Sequence, residues 1–318
     1  MEKEKYDVVI IGAGPGGLTC GLYCSRAGLS VLVLDRGMPG GQMAMTEWVD
    51  NYPGFPDGMA GADLGELMNR QAQKFGAEVT YGNVTGIDCD KSQEYPVTIS
   101  HDDGTISAGA AVIATGANPR ELGVPGEKEF RGRGVSYCAV CDGNFFQDQE
   151  VCVIGGGDSA VEEATYLSKL CKKVTIIHRR DKFRAKKASS DVALSKPNIE
   201  VAWNTTVLEV KGGDSGVTGI KVKDVITGEE KVIPCTGAFF YVGINPLSEF
   251  IRGKLQTDDH GFIITDDEMQ TSLEYVYAIG DVRRPRYRQI STAVGDGTVA
   301  SLSIERKFNE QPDIWRTT

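Results

Sequence analysis

The chain has 318 residues, 41% hydrophobic and 25% charged, with a net charge of −10, eight cysteines and three histidines. At about 150 residues per domain this suggests two domains with a core of good size, and it excludes a disordered or fibrous chain. The acidic balance argues against nucleic acid, no apolar run reaches the roughly 18 residues of a membrane helix, and "MEKEKYDVVIIGAG" lacks the features of a signal peptide, so a cytoplasmic location is expected.

The N-terminal stretch "DVVIIGAGPGGLTCGLYCSRAGLSVLVLDRG" predicts a buried parallel strand over Val8–Ile11, then Gly12, Gly14 and Gly17 in G-x-G-x-x-G spacing. A helix follows to about Ala27 with Gly28 as its C-cap, and Val31–Leu34 reads as the next strand, ending in Asp35. Gly12 permits the tight turn, Gly14 admits a pyrophosphate to the backbone, and Gly17 lets helix pack on strand. An acid about 20 residues on accepts hydrogen bonds from a ribose 2′-hydroxyl, so the unit predicts a dinucleotide site. "DRGMPGGQM" and "DNYPGFPDGMAGAD" read as ordered, functional Gly/Pro-rich loops, and "AAVIATGANP" as a strand closing on a small turn.

Next comes "VSYCAVCDG", in which Cys138 and Cys141 are two residues apart and Asp142 follows at once. Such a pair could be half a zinc site, a redox disulfide or two buried thiols. His101, His178 and His260 are far apart and no His/Cys spacing supplies a second half-site, so no metal is expected. The other six cysteines, Cys20, Cys24, Cys89, Cys152, Cys171 and Cys235, read as small core residues.

The dinucleotide unit then repeats in "VCVIGGGDSAVEEATYLSKLCKKVTIIHRRDKFRAKK". Val151–Ile154 is the strand, Gly155, Gly157 and Ala160 restate the spacing with Asp158 and Ser159 between them, Ser159–Leu170 is an amphipathic helix, and Val174–Ile177 is the second strand. His178 now stands where the first unit has Asp35, followed by Arg179, Arg180 and Arg184. Arginines attract a 2′-phosphate that a carboxylate would repel, so the first site suits a free ribose and the second NADPH. "VTGIKVKDVITGEEKVIP" reads as an antiparallel hairpin turning at Thr227-Gly228, and Val276–Ile279 as a strand before a final helix from about Gln289. The fold class is therefore α/β.

In combination, "GAGPGG", "GGQM" with "NYPGF", "ATGA", "CAVCDG", "GGGDSA", "HRRDKFRA", "AIGD" and "RQISTAVGDG" resemble the low-molecular-weight thioredoxin reductases, of the flavin pyridine-nucleotide disulfide oxidoreductases, over essentially the whole chain. The resemblance implies two Rossmann-like domains. A discontinuous FAD domain of residues 1–118 and 247–318 would hold an inserted NADPH domain, residues 119–246, that carries the CxxC. For FAD it implies Gly12, Gly14, Gly17 and Asp35, then Gln42, Asn51 and Thr115 in loops beside the flavin. Asp281 would bind ribityl-side hydroxyls, and Arg288, Gln289 and Ile290 would open the last helix at the ring. For NADPH it implies Gly155, Gly157, Asp158, Ser159, Ala160, His178, Arg179, Arg180 and Arg184.

The implied activity passes hydride from NADPH to FAD, then to a Cys138–Cys141 disulfide, then by exchange to oxidised thioredoxin, a separate protein. By the same resemblance Cys141 faces the flavin, Cys138 attacks the partner, Asp142 is the general acid–base, the NADPH domain rotates on hinges near Gly116–Pro119 and Val242–Pro246, and the chain is a homodimer. One alternative is a reductase of another dithiol carrier, such as a glutaredoxin-like protein. A ferredoxin-dependent flavin thioredoxin reductase would lack the second glycine loop and its arginines, both of which are present.

Overall fold

The structure, a computed structural model, describes residues 4–46, 48–284 and 287–310. The chain divides into two compact units, one of Met1–Asn118 with Asn245–Thr318 and the other of Pro119–Ile244. The second crossing thus lies two residues before the expected Pro246/Leu247 boundary. Its residues Ile244–Pro246 form a strand paired with Ala117–Pro119, so the crossing falls inside a two-stranded ladder.

In the discontinuous unit a seven-stranded sheet is built on the strand Glu4–Ile11. Val31–Asp35 and then Glu78–Tyr81 lie parallel on one side of it and Gly104–Ile113 on the other. Val8, Val9, Ile10 and Ala110–Ile113 are all buried, as expected for central parallel strands covered on both faces, which is why they read as continuous apolar runs. Gly104–Ile113 serves two neighbours along its far edge: its first half pairs antiparallel with Val97–His101 and its last residues pair parallel with Val276–Ala278. Asp7 and Ser30 pin the first two strands together. The Asp7 Oδ2 accepts the Ser30 N–H and Oγ–H, both at 2.8 Å, and the Ser30 Oγ accepts the Asp7 N–H at 2.8 Å.

The inserted unit repeats this plan. Its five-stranded sheet runs Ile199–Ala202, Lys173–Ile177, Glu150–Gly155, Gly237–Tyr241 and Val135–Ser136, all parallel. An antiparallel three-stranded sheet, Thr205–Gly213, Gly216–Asp224 and Glu230–Pro234, precedes the return strand, and its last hairpin turns at Gly228, φ +77°. The first four parallel strands follow the same order as in the first unit, so the sequence repeat is a repeat of architecture there, while the antiparallel strands form a sheet of their own.

Two local differences from the expected elements have physical causes. The helix Asp158–Leu167 ends three residues early because the Asn198 side-chain amide donates to the carbonyls of Ser168, at 2.8 Å, and Cys171, at 3.1 Å, drawing the chain out of the helix. The expected loops around residues 36–63 hold a one-turn helix, Gly41–Ala44, and the start of the helix Gly61–Lys74. The second packs so tightly on the first that a Cβ on Gly61 would lie 2.0 Å from the Met43 carbonyl oxygen.

The final helix, Ile290–Glu310, crosses the first helix, Pro15–Arg26, at a small-residue contact. A Cβ on Gly297 would stand 2.3 Å from the Gly16 carbonyl oxygen. Gly297→Val should therefore force the helices apart and destabilise this unit by about 1–3 kcal/mol or more. The check is a lower urea midpoint for the variant, with Gly295→Val, at a position with nothing within 4 Å, as the tolerant control.

Candidate active site

Both glycine loops are built by close backbone approach. Gly12 has φ +113°, and a Cβ there would lie 2.4 Å from the Ala114 carbonyl oxygen; one on Gly17 would lie 1.9 Å from that of Gly12. Gly14 is different. It is the extended N-cap of the helix Pro15–Arg26, has no side-chain cap, and nothing lies within 4 Å of where its Cβ would be. An uncapped helix N-terminus with open space beside Gly14 fits a diphosphate. Asp35 closes the turn: its Oδ2 accepts the Ala13 N–H at 2.6 Å and its Oδ1 the Gly37 N–H at 2.8 Å.

The same unit gathers the other residues expected at a flavin. The Gly40 N–H donates to the Ala13 carbonyl at 2.7 Å, laying the Gly40–Gly41 turn on the first glycine loop. Gln42 donates to the Asn118 Oδ1 at 2.6 Å, the Thr115 hydroxyl to the Leu247 carbonyl at 2.7 Å, and Asn51 to the Gln289 Oε1 at 3.5 Å. Ile290 packs on the cluster of Met43, Val49 and Leu64. Arg288 stacks its guanidinium over Phe262, 4.6 Å from the ring centre, and its buried Nε has no hydrogen-bond partner among the described residues. Burial pushes the Asp281 carboxyl up to about 6, with Arg288 opposing and Asp296 adding to the rise. An orphaned buried donor and a desolvated acid beside a glycine loop fit a polar ligand such as FAD.

The sequence reading passed over the group that holds Asp281 in place. Asp296 takes the Gly280 N–H at 3.0 Å and a two-point ion pair from Arg283, at 2.7 and 3.0 Å. No local pattern signals that pairing; only its place inside "VGDG" and "DVRR" draws notice.

In the inserted unit Gly155 has φ +153°, and a Cβ there would strike the Tyr241 carbonyl and Ala160. Gly157, the N-cap of its helix, again has nothing within 4 Å of a Cβ. The Asp158 Oδ1 accepts the Lys186 N–H at 2.8 Å, while Ser159 is exposed. Arg179, Arg180 and Arg184 are exposed, and among the described residues none forms an ion pair, which leaves them available to a phosphate. His178 is placed otherwise. Its ring is buried under Gly156, Nε2 lies 3.0 Å from the Lys182 carbonyl oxygen, and burial lowers its pKa.

Cys138 and Cys141 form a disulfide with Cα atoms 5.3 Å apart, and both are half-buried. Cys138 caps the short helix Ala139–Asp142, its sulfur accepting the Cys141 N–H at 3.2 Å. Ser136, missed in the sequence, organises the turn: its Oγ donates to the Asp142 Oδ2 at 2.5 Å and accepts the Cys138 N–H at 3.1 Å. Tyr241, also missed, accepts the Ala139 N–H on its hydroxyl at 2.6 Å. Cys20, Cys24, Cys89, Cys152, Cys171 and Cys235 are free. The Cys20 and Cys24 sulfurs are 4.0 Å apart, and this contact, then burial, raises the Cys24 pKa; the neighbouring Cys235 thiol does the same to Cys152, and burial pushes Cys171 up to about 11. Only the CxxC is an oxidised pair, next to an acid and near the surface.

A model of the pyridine nucleotide-disulphide oxidoreductases matches residues 6–297. The chain belongs to that family. Within the pyridine nucleotide-disulphide oxidoreductases, a thioredoxin reductase of Listeria monocytogenes is 48% identical over 97% of this chain and 96% of its own. That of Bacillus subtilis is 46% identical over 100% and 99%. The crystal structure of thioredoxin reductase from Streptococcus pyogenes superposes with a TM-score of 0.91 at 44% identity, covering 97% of this chain and all of that one. As a member of the family the chain is a disulfide oxidoreductase that uses a flavin and a pyridine nucleotide. Among the described residues no helix is long and apolar enough to cross a membrane.

Because the folded-state pKa of Asp281 lies above its unfolded value of 3.8, its protonated form favours folding. That contribution is fully present below pH 3.8 and is lost as pH rises through about 6. In flavin-free protein Asp281→Asn should therefore raise the urea midpoint at pH 7.5, by about 1–3 kcal/mol in stability, and leave it unchanged at pH 3.5. The same variant should retain flavin poorly.

Proposed function

We propose that this chain is an NADPH-dependent, FAD-containing thioredoxin-disulfide reductase, a cytoplasmic homodimer whose discontinuous domain binds FAD and whose inserted domain binds NADPH. The observation that carries the reading is the Cys138–Cys141 disulfide, the one oxidised pair among eight cysteines, in the unit whose glycine loop is followed by three exposed, unpaired arginines. The relatives' names point to thioredoxin as the protein whose disulfide is reduced. Gly12, Gly14, Gly17, Asp35, Gln42, Asn51, Thr115, Asp281, Arg288, Gln289 and Ile290 would hold FAD. Gly155, Gly157, Asp158, Ser159, Ala160, Arg179, Arg180 and Arg184 would hold NADPH. When bound, the flavin supplies two-electron transfer between the nicotinamide and the disulfide.

The protein's own groups do the rest. Reducing the disulfide takes two electrons and two protons and yields two thiols. The Cys141 N–H that already points at the Cys138 sulfur would favour a thiolate there, which supports Cys138 as the attacking group. Attack on the partner's disulfide forms a mixed disulfide and releases one partner thiolate. Cys141 then displaces the second, restoring the Cys138–Cys141 bond. Asp142, fixed by Ser136 on the same turn, delivers protons to the departing thiolates. The homodimer rests on family resemblance, and its check is a molar mass twice that of the chain in light scattering.

Cys138→Ser and Cys141→Ser should each abolish reduction of thioredoxin while NADPH still bleaches the flavin. Cys141→Ser should accumulate a mixed disulfide through Cys138, visible by non-reducing electrophoresis and mass spectrometry. Asp142→Asn should slow only the thiol steps, by about 10²–10⁴-fold. Thioredoxin reduction at the unmodified rate by the double cysteine variant would remove the reading. Replacing Arg179 and Arg180 by Ala should raise the KM for NADPH on the order of a hundredfold with kcat largely kept, since each charge-assisted bond is worth about 1.5–3 kcal/mol. Equal efficiency with NADH in the unmodified enzyme would overturn the cofactor assignment.

A further inference from the structure

Arg179, Arg180 and Arg184 stand on a segment with no regular secondary structure, between the strand Lys173–Ile177 and the helix Lys187–Leu194. Long flexible side chains bind a phosphate selectively only when their backbone is held still, because ordering them at the moment of binding costs affinity. Here the backbone is held at several points. The His178 N–H donates to the Ala202 carbonyl at 3.0 Å and the Thr205 N–H to the His178 carbonyl at 2.9 Å. The Asn204 N–H donates to the Arg180 carbonyl at 3.1 Å, from a left-handed φ of +51° that asparagine tolerates. The Arg184 N–H closes the segment on the glycine loop, at 2.7 Å from the Gly156 carbonyl.

Three aromatic side chains brace the same turn. Phe183, on the arginine segment, packs against Trp203 with ring centres 4.5 Å apart, and His178 lies 5.8 Å from Phe183 and 6.1 Å from Trp203. The His178 ring also spans from Gly156, where a Cβ would lie 2.2 Å from it, to the Lys182 carbonyl oxygen. Neither Trp203 nor Phe183 carries a positive charge that would pair with a 2′-phosphate.

We propose that the Trp203–Asn204 corner, with Phe183 and His178, is a positioning element that fixes the arginine segment and so sets discrimination for a nucleotide 2′-phosphate, none of the four side chains touching the nucleotide. This rests on the reading of the second glycine loop as the NADPH site. His178 accordingly acts through the loop, although its place in the sequence made it a contact candidate.

The test compares unmodified holoenzyme with Trp203→Ala, Trp203→Phe and Phe183→Leu by calorimetric titration with adenosine 2′,5′-bisphosphate and with 5′-AMP, which differ only in the 2′-phosphate. The expected result is a ratio of affinities about tenfold lower in Trp203→Ala, the loss of roughly one charge-assisted bond, with 5′-AMP binding kept. Trp203→Phe should restore most of the ratio, and Phe183→Leu should lower it. In turnover, Trp203→Ala should raise the KM for NADPH with kcat kept and leave the KM for NADH unmoved. A ratio unchanged in both Trp203→Ala and Phe183→Leu, or equal weakening of both ligands, would overturn the positioning role. Equal binding of the two ligands by the unmodified protein would overturn the NADPH reading itself, and this inference with it.

Discussion

The closest approach of backbone to backbone governs both halves of this protein. Where the first helix leaves the first strand, Gly17 stands so near Gly12 that a Cβ would lie 1.9 Å from its carbonyl oxygen. That contact draws the helix against the sheet and leaves its N-terminus uncapped, with open space beside Gly14. The inserted unit meets the same constraint with a different division. Gly155 keeps the bare backbone and Ala160 takes the helix position, since a Cβ on both would bring them to 2.7 Å. Gly155 must be the glycine, because its φ of +153° and the Tyr241 carbonyl oxygen, 2.6 Å from where a Cβ would lie, exclude a side chain whatever stands at position 160.

On these matching scaffolds the chemistry diverges at the end of the second strand. Asp35 is fixed by the N–H groups of Ala13 and Gly37 and holds negative charge at the mouth of the first loop. His178 occupies the corresponding place but turns into the protein under Gly156, so the next residues, Arg179 and Arg180, determine the potential there. Loss of the carboxylate together with the arginines that follow reverses the charge a nucleotide ribose would meet, on the same strand–loop–helix plan.

The cysteines show how position separates chemistry from packing. Cys20, Cys24, Cys152 and Cys235 are as buried as the valines around them, and the shifts of Cys24 and Cys152 toward higher pKa suppress the thiolate that exchange requires. Cys138 and Cys141 sit on a tight turn held by Ser136 and Tyr241, where both stay half-exposed. A buried tyrosine hydroxyl is a fixed acceptor here. Burial raises its pKa well above the ordinary value, so it stays protonated.

The strands and glycine loops were legible in the sequence because their signals are local. Four buried apolar residues ending on a glycine can be read without knowing any partner, and so can a CxxC followed by an acid. The α/β class, the internal repeat and most candidate residues came from such runs. What escaped was decided by residues distant in the chain. The early end of the helix at Leu167 depends on Asn198, the seating of Asp281 on Asp296 and Arg283, the turn at Cys138 on Tyr241, and the bracing of the arginine segment on Trp203. His178 was legible as the counterpart of Asp35, but the direction of its ring was not, because burial beneath a glycine depends on what packs from the other side. Sequence alone thus determined which backbone conformations were possible and which charges were available. The tertiary structure decided where each side chain points, because hydrogen bonds and packing between distant segments carry no local periodicity.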